Sequence, residues 1–272
     1  MAGRSVAWLW LAVGYAVPAA EPSPAPVKES PPHLALVIAE DEYRTAETLP
    51  EFARSELGAA FRVTTLAAAA GEVRGIPGLE RLADVDVLLV SARRRPLPAP
   101  QLDGIRAHIA AGRPVVGIRT ASHAFHLRQG EPPPGLEQWP TFDADVFGGS
   151  YANHLGNDLK TTAWRLPGVE HPILAGVPAG EFATGGSLYV VSPLAASATE
   201  LVRGRAAGGA REEPVAWVNR RADGGWSFYT SLGHPDDFTN PAFRRLLANA
   251  IRWAATQRER GAGRSAAPQQ PR

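Results

Sequence analysis

The sequence predicts an α/β fold built on a mostly parallel sheet with a C-terminal antiparallel hairpin. Three observations carry that prediction. Short continuous apolar runs at Leu34–Ala39, Val85–Ser91 and Pro114–Ile118 have the character of strands buried on both faces. Helix-like segments separate them, as parallel crossovers require. Gly224-Gly225 then sits between two apolar stretches, Pro214–Asn219 and Trp226–Ser231, as a hairpin turn does.

The elements follow in order. Leu34–Ala39 is the first strand, starting after the break at Pro31-Pro32. Thr48 caps a helix to Leu57, with Pro50 in the first turn and Gly58 as the stop. Phe61–Leu66 alternates and forms the second strand, and Val85–Ser91 the third. Leu102–Ala111 has a mostly helical pattern ended by Gly112, and Pro114–Ile118 is the next strand. Gly130–Pro140 is a Pro/Gly-rich loop. Asp158–Leu166, Ser187–Val191 and Thr199–Val202 are short strands before the hairpin. Asn240 caps a last helix with Pro241 at its first position; Phe243, Leu246, Leu247, Ala250, Ile251 and Ala254 form its buried stripe.

Composition narrows the function. The chain has 272 residues, with 28 basic against 27 acidic and a formal net charge of +1. Nucleic-acid binders carry a strong basic excess, so no such partner is expected. The absence of cysteine excludes disulfides, a thiol nucleophile, thiolate zinc sites and iron–sulfur clusters. Residues 1–20 carry Arg4 ahead of the apolar run Val6–Val17 and small residues near Ala19-Ala20, the pattern of a signal peptide. The alternative is an uncleaved anchor. A spanning helix needs about 20 apolar residues. Pro18 and Glu21 end this run first, so no stable span is expected after cleavage. A periplasmic or secreted location follows. Residues 21–32 are a Pro-rich linker, 33–256 the folded domain, and 257–272 a disordered tail.

In parallel sheets ligands bind beyond the carboxyl ends of the strands. Three segments there carry candidate chemistry. In Gly117–Phe125 a strand turns into a helix within a few small residues, projecting Arg119 or Thr120 and aiming N–H groups at a ligand. Ser122 and His123 open that helix, and His126 lies one turn on. In Phe228–Asp237 a strand delivers His234, with Pro235 fixing the turn and Asp236 placed to orient the imidazole for acid/base work. Gly148–Asp158 supplies Tyr151, Asn153 and His154, side chains suited to gripping hydroxyls or a divalent ion. Glu40, Asp41 and Tyr43 follow the first strand and form a fourth candidate. Arg93-Arg94-Arg95 is a solvated charge run or a contact for an anionic or sugar ligand. His33, His108 and His171 are structural.

Three segments, PVVGIRTASHAF (residues 114–125), FGGSYANH (147–154) and FYTSLGHPDDFTNPAFRRLLANAIRW (228–253), resemble the ThuA-like, trehalose-utilisation family. The resemblance implies a flavodoxin-like three-layer α/β/α sandwich of the class I glutamine amidotransferase-like type. In amidotransferases a Cys stands at the strand-to-helix elbow. Here Arg119 stands there, which excludes thiol-based glutamine hydrolysis, while His234-Pro235-Asp236 keeps the His-Pro-acid arrangement. ThuA-like proteins commonly show a His at the elbow, and Arg119 departs from that too. The resemblance implies a role in carbohydrate metabolism, on disaccharides or their keto derivatives. One reading is an enzyme with His234 as acid/base, Asp236 as its orienter, Arg119, Thr120 and His123 on substrate or oxyanion, and Zn²⁺ bound if His123, His154 and His234 converge. The other is a non-catalytic carbohydrate-binding protein. A two-carboxylate glycosidase site, from Asp236–Asp237 and Glu40–Asp41, ranks third.

Overall fold

The first strand shows why both faces of the sheet are filled. Leu34, Leu36 and Ile38 enter one buried cluster with residues of the first and last helices. The alternate residues Ala35, Val37 and Ala39 enter a second cluster with Leu102, Ile105 and Ile109 of the middle helix. A strand buried on both sides needs apolar residues at both parities, as this run provides. The computed structural model describes residues 30–69, 71–72 and 74–265, with side chains as far as residue 257. The signal and nearly all of the linker expected for residues 1–32 lie outside the described residues.

In chain order the elements are β1 (His33–Ala39), α1 (Thr45–Phe52), β2 (Arg62–Ala67), β3 (Val87–Ala92), β4 (Leu97–Pro98) and α2 (Ala99–Ala110). Then come β5 (Val115–Ile118), β6 (Leu136–Glu137), β7 (Asn153–His154), β8 (Lys160–Arg165) and β9 (Phe182–Ser187). The last are β10 (Tyr189–Val190), β11 (Ala198–Ala206), β12 (Glu212–Arg220), β13 (Trp226–Thr230) and α3 (Pro241–Ser265). One sheet has nine strands in the order β2-β1-β3-β5-β13-β12-β11-β8-β9. From β2 to β13 the pairings are parallel. From β13 to β9 they are antiparallel. β3, β5 and β13 are therefore adjacent and parallel, and their carboxyl ends lie side by side. The segments that follow them are Arg93–Arg95, Arg119–His123 and Ser231–Asp237.

Four expectations about elements need correction. α1 starts at Thr45, ahead of Thr48, because the Thr45 N–H already has a partner in the Glu40 carboxylate. The segment after β5 is a single 3₁₀ turn, Arg119–His123, so no α-helix N-terminus faces a ligand there. The strand expected over Ser187–Val191 shrinks to Tyr189–Val190, and β9 occupies Phe182–Ser187 ahead of it, where Gly185 and Gly186 weaken the strand signal. α3 reaches Ser265, past the residue where the tail was expected to begin. Once a packed helix is nucleated, each added residue costs little, so the helix outruns its apolar stripe. Among the described residues no helix is long and apolar enough to cross a membrane.

Candidate functional site

A cavity of about 600 Å³ opens at the carboxyl ends of the parallel strands. Its lining includes Tyr43, Arg119, His123, Tyr151, His154 and His234. With Arg93 and Arg94, which also line it, eight of the residues singled out from sequence share one cavity, drawn from the segments after β1, β3, β5 and β13 and from the chain at and just before β7.

Arg119 forms the floor. It follows β5 at φ 43°, and Arg94, beyond the adjacent β3, has φ 50°. Non-glycine residues rarely adopt such angles, which cost on the order of 1–3 kcal/mol each and cluster at functional sites. The Arg119 guanidinium lies between two aromatic rings, 4.7 Å from the Tyr43 centroid and 4.5 Å from that of Tyr189. Its Nη1 donates to the carbonyls of Ser231 at 2.8 Å and Ser187 at 3.2 Å. Tyr229 Oη donates to the Arg119 carbonyl at 2.6 Å and fixes the elbow backbone from below. Burial opposes the charge on Arg119, but the facing Tyr189, Tyr43 and Asp237 outweigh it and hold the arginine above its ordinary range. The elbow therefore presents a permanent cation.

His234 is held by backbone geometry. Its Nδ1 accepts from the Asp236 N–H at 3.3 Å. Accepting at Nδ1 leaves the proton of the neutral ring on Nε2, a tautomer assigned from this bond. Burial lowers the His234 pKa, although Asp236 and Asp237 pull the other way. At neutral pH the ring is thus a hydrogen-bond donor through Nε2. The Asp236 carboxylate is exposed, 3.6 Å from Nδ1 and 3.4 Å from Lys160 Nζ. The orienting carboxylate is instead the buried Asp237. Its Oδ2 accepts from the N–H groups of Gly233 and His234 at 2.8 and 3.0 Å, and its Oδ1 from Gly185 at 2.7 Å.

The opposite wall holds two more imidazoles. His123 Nδ1 lies 3.2 Å from Ser122 Oγ, and burial, then Arg94, Arg93, His126 and Arg119, push its pKa down to about 3. It is a neutral ring in the working pH range. His154 Nδ1 and Tyr151 Oη are 2.6 Å apart, a pair able to pass a proton between them.

Other candidates fall outside the cavity lining. Glu40 is a backbone cap: Oε1 accepts from Thr45 N–H at 2.9 Å, and Oε2 from Glu42 and Tyr43 N–H, both at 2.7 Å. Asp41 is exposed and lies 3.5 Å from Arg95. Thr120 is buried with its hydroxyl unpaired, and Ser122 donates to the Arg119 carbonyl at 3.3 Å. Asn153 is exposed on β7, and Asn157 lines the cavity instead. With Glu40 and Asp237 bonded to backbone N–H groups, neither proposed carboxylate pair flanks a substrate. His123, His154 and His234 line one cavity but do not form an ion-binding set; among the described residues no three His, Asp or Glu side chains do. The residues present do not fit the three-imidazole zinc site.

Sequence reading missed Gly185 and Gly186 on β9. A Cβ at Gly186 would lie 2.6 Å from Arg119 Nη1, and one at Gly185 would lie 2.5 Å from His234 Nδ1. A glycine pair inside a strand marks close approach by another group, and that was the available signal.

The family model described as "Trehalose utilisation", ThuA, matches residues 35–254. A ThuA-like protein of Bacteroides uniformis has a solved structure with a TM-score of 0.61 at 16% identity, covering 85% of this chain and 95% of its own. One from Parabacteroides merdae gives 0.58 at 16% identity, covering 83% and 90%. These likenesses bear on the fold. No curated protein matches the chain. With the family model spanning most of its length, the chain belongs to the ThuA, or trehalose utilisation, family.

Proposed function

We propose that the protein is exported, binds a disaccharide or keto-sugar in this cavity, and polarises a sugar carbonyl there. The observation that supports it is the convergence of a buried cation, Arg119, and a neutral N–H donor, His234, on one polar cavity. Charge developing on a carbonyl oxygen is stabilised by such donors when they are preorganised and shielded from water. Arg119 is 3% exposed and cannot swing away without breaking its carbonyl bonds. The Tyr151–His154 pair is the group assigned to move the proton. The N-terminal signal pattern supports export.

A non-catalytic binding role is the second reading, and one observation favours it. The single lining carboxylate, Glu42, is already paired with Arg93 at 2.7 Å, so no free carboxylate serves as base. Turnover of 3-keto-trehalose by the purified protein, followed by mass spectrometry with trehalose, which has no carbonyl, as the control, separates the readings. His234→Gln, which retains a donor, is expected to keep more activity than His234→Ala, which should lose about 10²-fold. Undiminished turnover in His234→Ala contradicts the enzymatic reading. Sugar binding without turnover by the wild type moves the conclusion to the binding role.

A further inference from the structure

The charge around the cavity specifies the ligand further. Arg93, Arg94, Arg119 and Arg128 line it against the lone carboxylate of Glu42. Glu42 is engaged with Arg93. Among the described residues, no carboxylate lies within ion-pair distance of Arg94, Arg119 or Arg128. Arg94 Nη1 meets a neutral group, His126 Nε2, at 2.8 Å. The Arg119 Nε is buried without a hydrogen-bond partner.

The groups nearby register this excess. Burial and the charges of Arg128 and Arg93 hold Arg94 below the ordinary arginine range, against the opposing pull of Tyr151 and Asp143. Burial and the same positive field depress His123. Cations that repel one another around an open cavity concentrate an anion there. Arg94 is also held at φ 50°, a backbone angle that is strained for a non-glycine residue.

We propose that the sugar bound here carries an anionic group, a carboxylate or a phosphate, gripped by Arg94 and Arg128. Guanidinium forks match both groups bidentately. Arg119, deeper in the cavity, remains for the reacting oxygen. The inference rests on the carbohydrate reading for the ligand's scaffold and on the arginines for its charge.

Calorimetric titration of the full chain tests it, with glucuronate, glucose 6-phosphate, glucose and inorganic phosphate at low and high salt. An acidic sugar is expected to bind at least about ten-fold more tightly than glucose, with the preference shrinking in high salt. Arg128→Gln should remove most of the preference and Arg128→Lys should restore part of it. Whichever acidic sugar binds more tightly identifies the group. Glucose binding as tightly as both acids overturns the proposal and leaves the carbohydrate reading standing. Phosphate binding with no sugar binding supports the anion site and overturns the carbohydrate reading. No binding by any probe overturns both.

Discussion

Asp237→Ala is expected to lower folding stability by about 3 kcal/mol, because it orphans three backbone N–H groups at once. Those groups belong to Gly185, Gly233 and His234, and the carboxylate ties β9 to the turn after β13. Gly185 also packs against the His234 ring, so loss of the tie releases the imidazole from its place. Urea unfolding gives the stability change. Asp237→Asn, which keeps one acceptor oxygen, should fall between the wild type and the alanine variant. In a preparation kept folded at low temperature, ligand affinity should fall along with stability. If Asp237→Ala unfolds at the wild-type urea concentration, Asp237 does not hold the site. Asp236→Ala is the control: its carboxylate is exposed, its bond to His234 is made by the backbone, and little change is expected.

Arg119→Gly should abolish most ligand binding while costing less stability than Arg119→Ala. The reason is the backbone at φ 43°, which glycine adopts freely and alanine does not. Both variants lose the guanidinium between Tyr43 and Tyr189 and its bonds to Ser187 and Ser231. Only alanine retains the strain, worth about 1 kcal/mol or more. Under the proposed enzymatic reading, kcat falls about 10²–10³-fold in both, the usual cost of losing an oxyanion donor. Thermal unfolding of the two variants side by side measures the difference. Equal stabilities mean that the elbow is not strained.

How much of this was legible in the sequence depended on the type of signal. Continuous apolar runs at β1, β3 and β5 marked the buried centre of the sheet, because such runs have no other stable home. Placing chemistry at the carboxyl ends of those strands followed from topology, and it brought Arg119 and His234 into one search. The antiparallel extension was harder to read. β9 carries Gly185 and Gly186 where a strand would ordinarily carry larger residues, since a Cβ there collides with His234 and Arg119. Distinguishing Asp236 from Asp237 needed coordinates, because sequence neighbours in a tight turn face opposite ways. Glu40 misled for a related reason: a carboxylate just after a strand suits a ligand and a helix start equally well. Arg94 stood out as part of the run Arg93-Arg94-Arg95, but Arg128 carries no motif, and only the fold brings it to the same cavity.

The most direct test of the account is a crystal structure with a bound keto-disaccharide. A sugar oxygen is expected at hydrogen-bond distance from both His234 Nε2 and the Arg119 guanidinium, in the cavity beyond β3, β5 and β13. A second concavity, of about 580 Å³, lies elsewhere and is lined by His171, Trp226 and Trp253. Indole rings of that kind offer sugars a stacking surface. Sugar density on those rings, with the arginine-lined cavity left to solvent, would show that the sugar does not bind at Arg119 and His234.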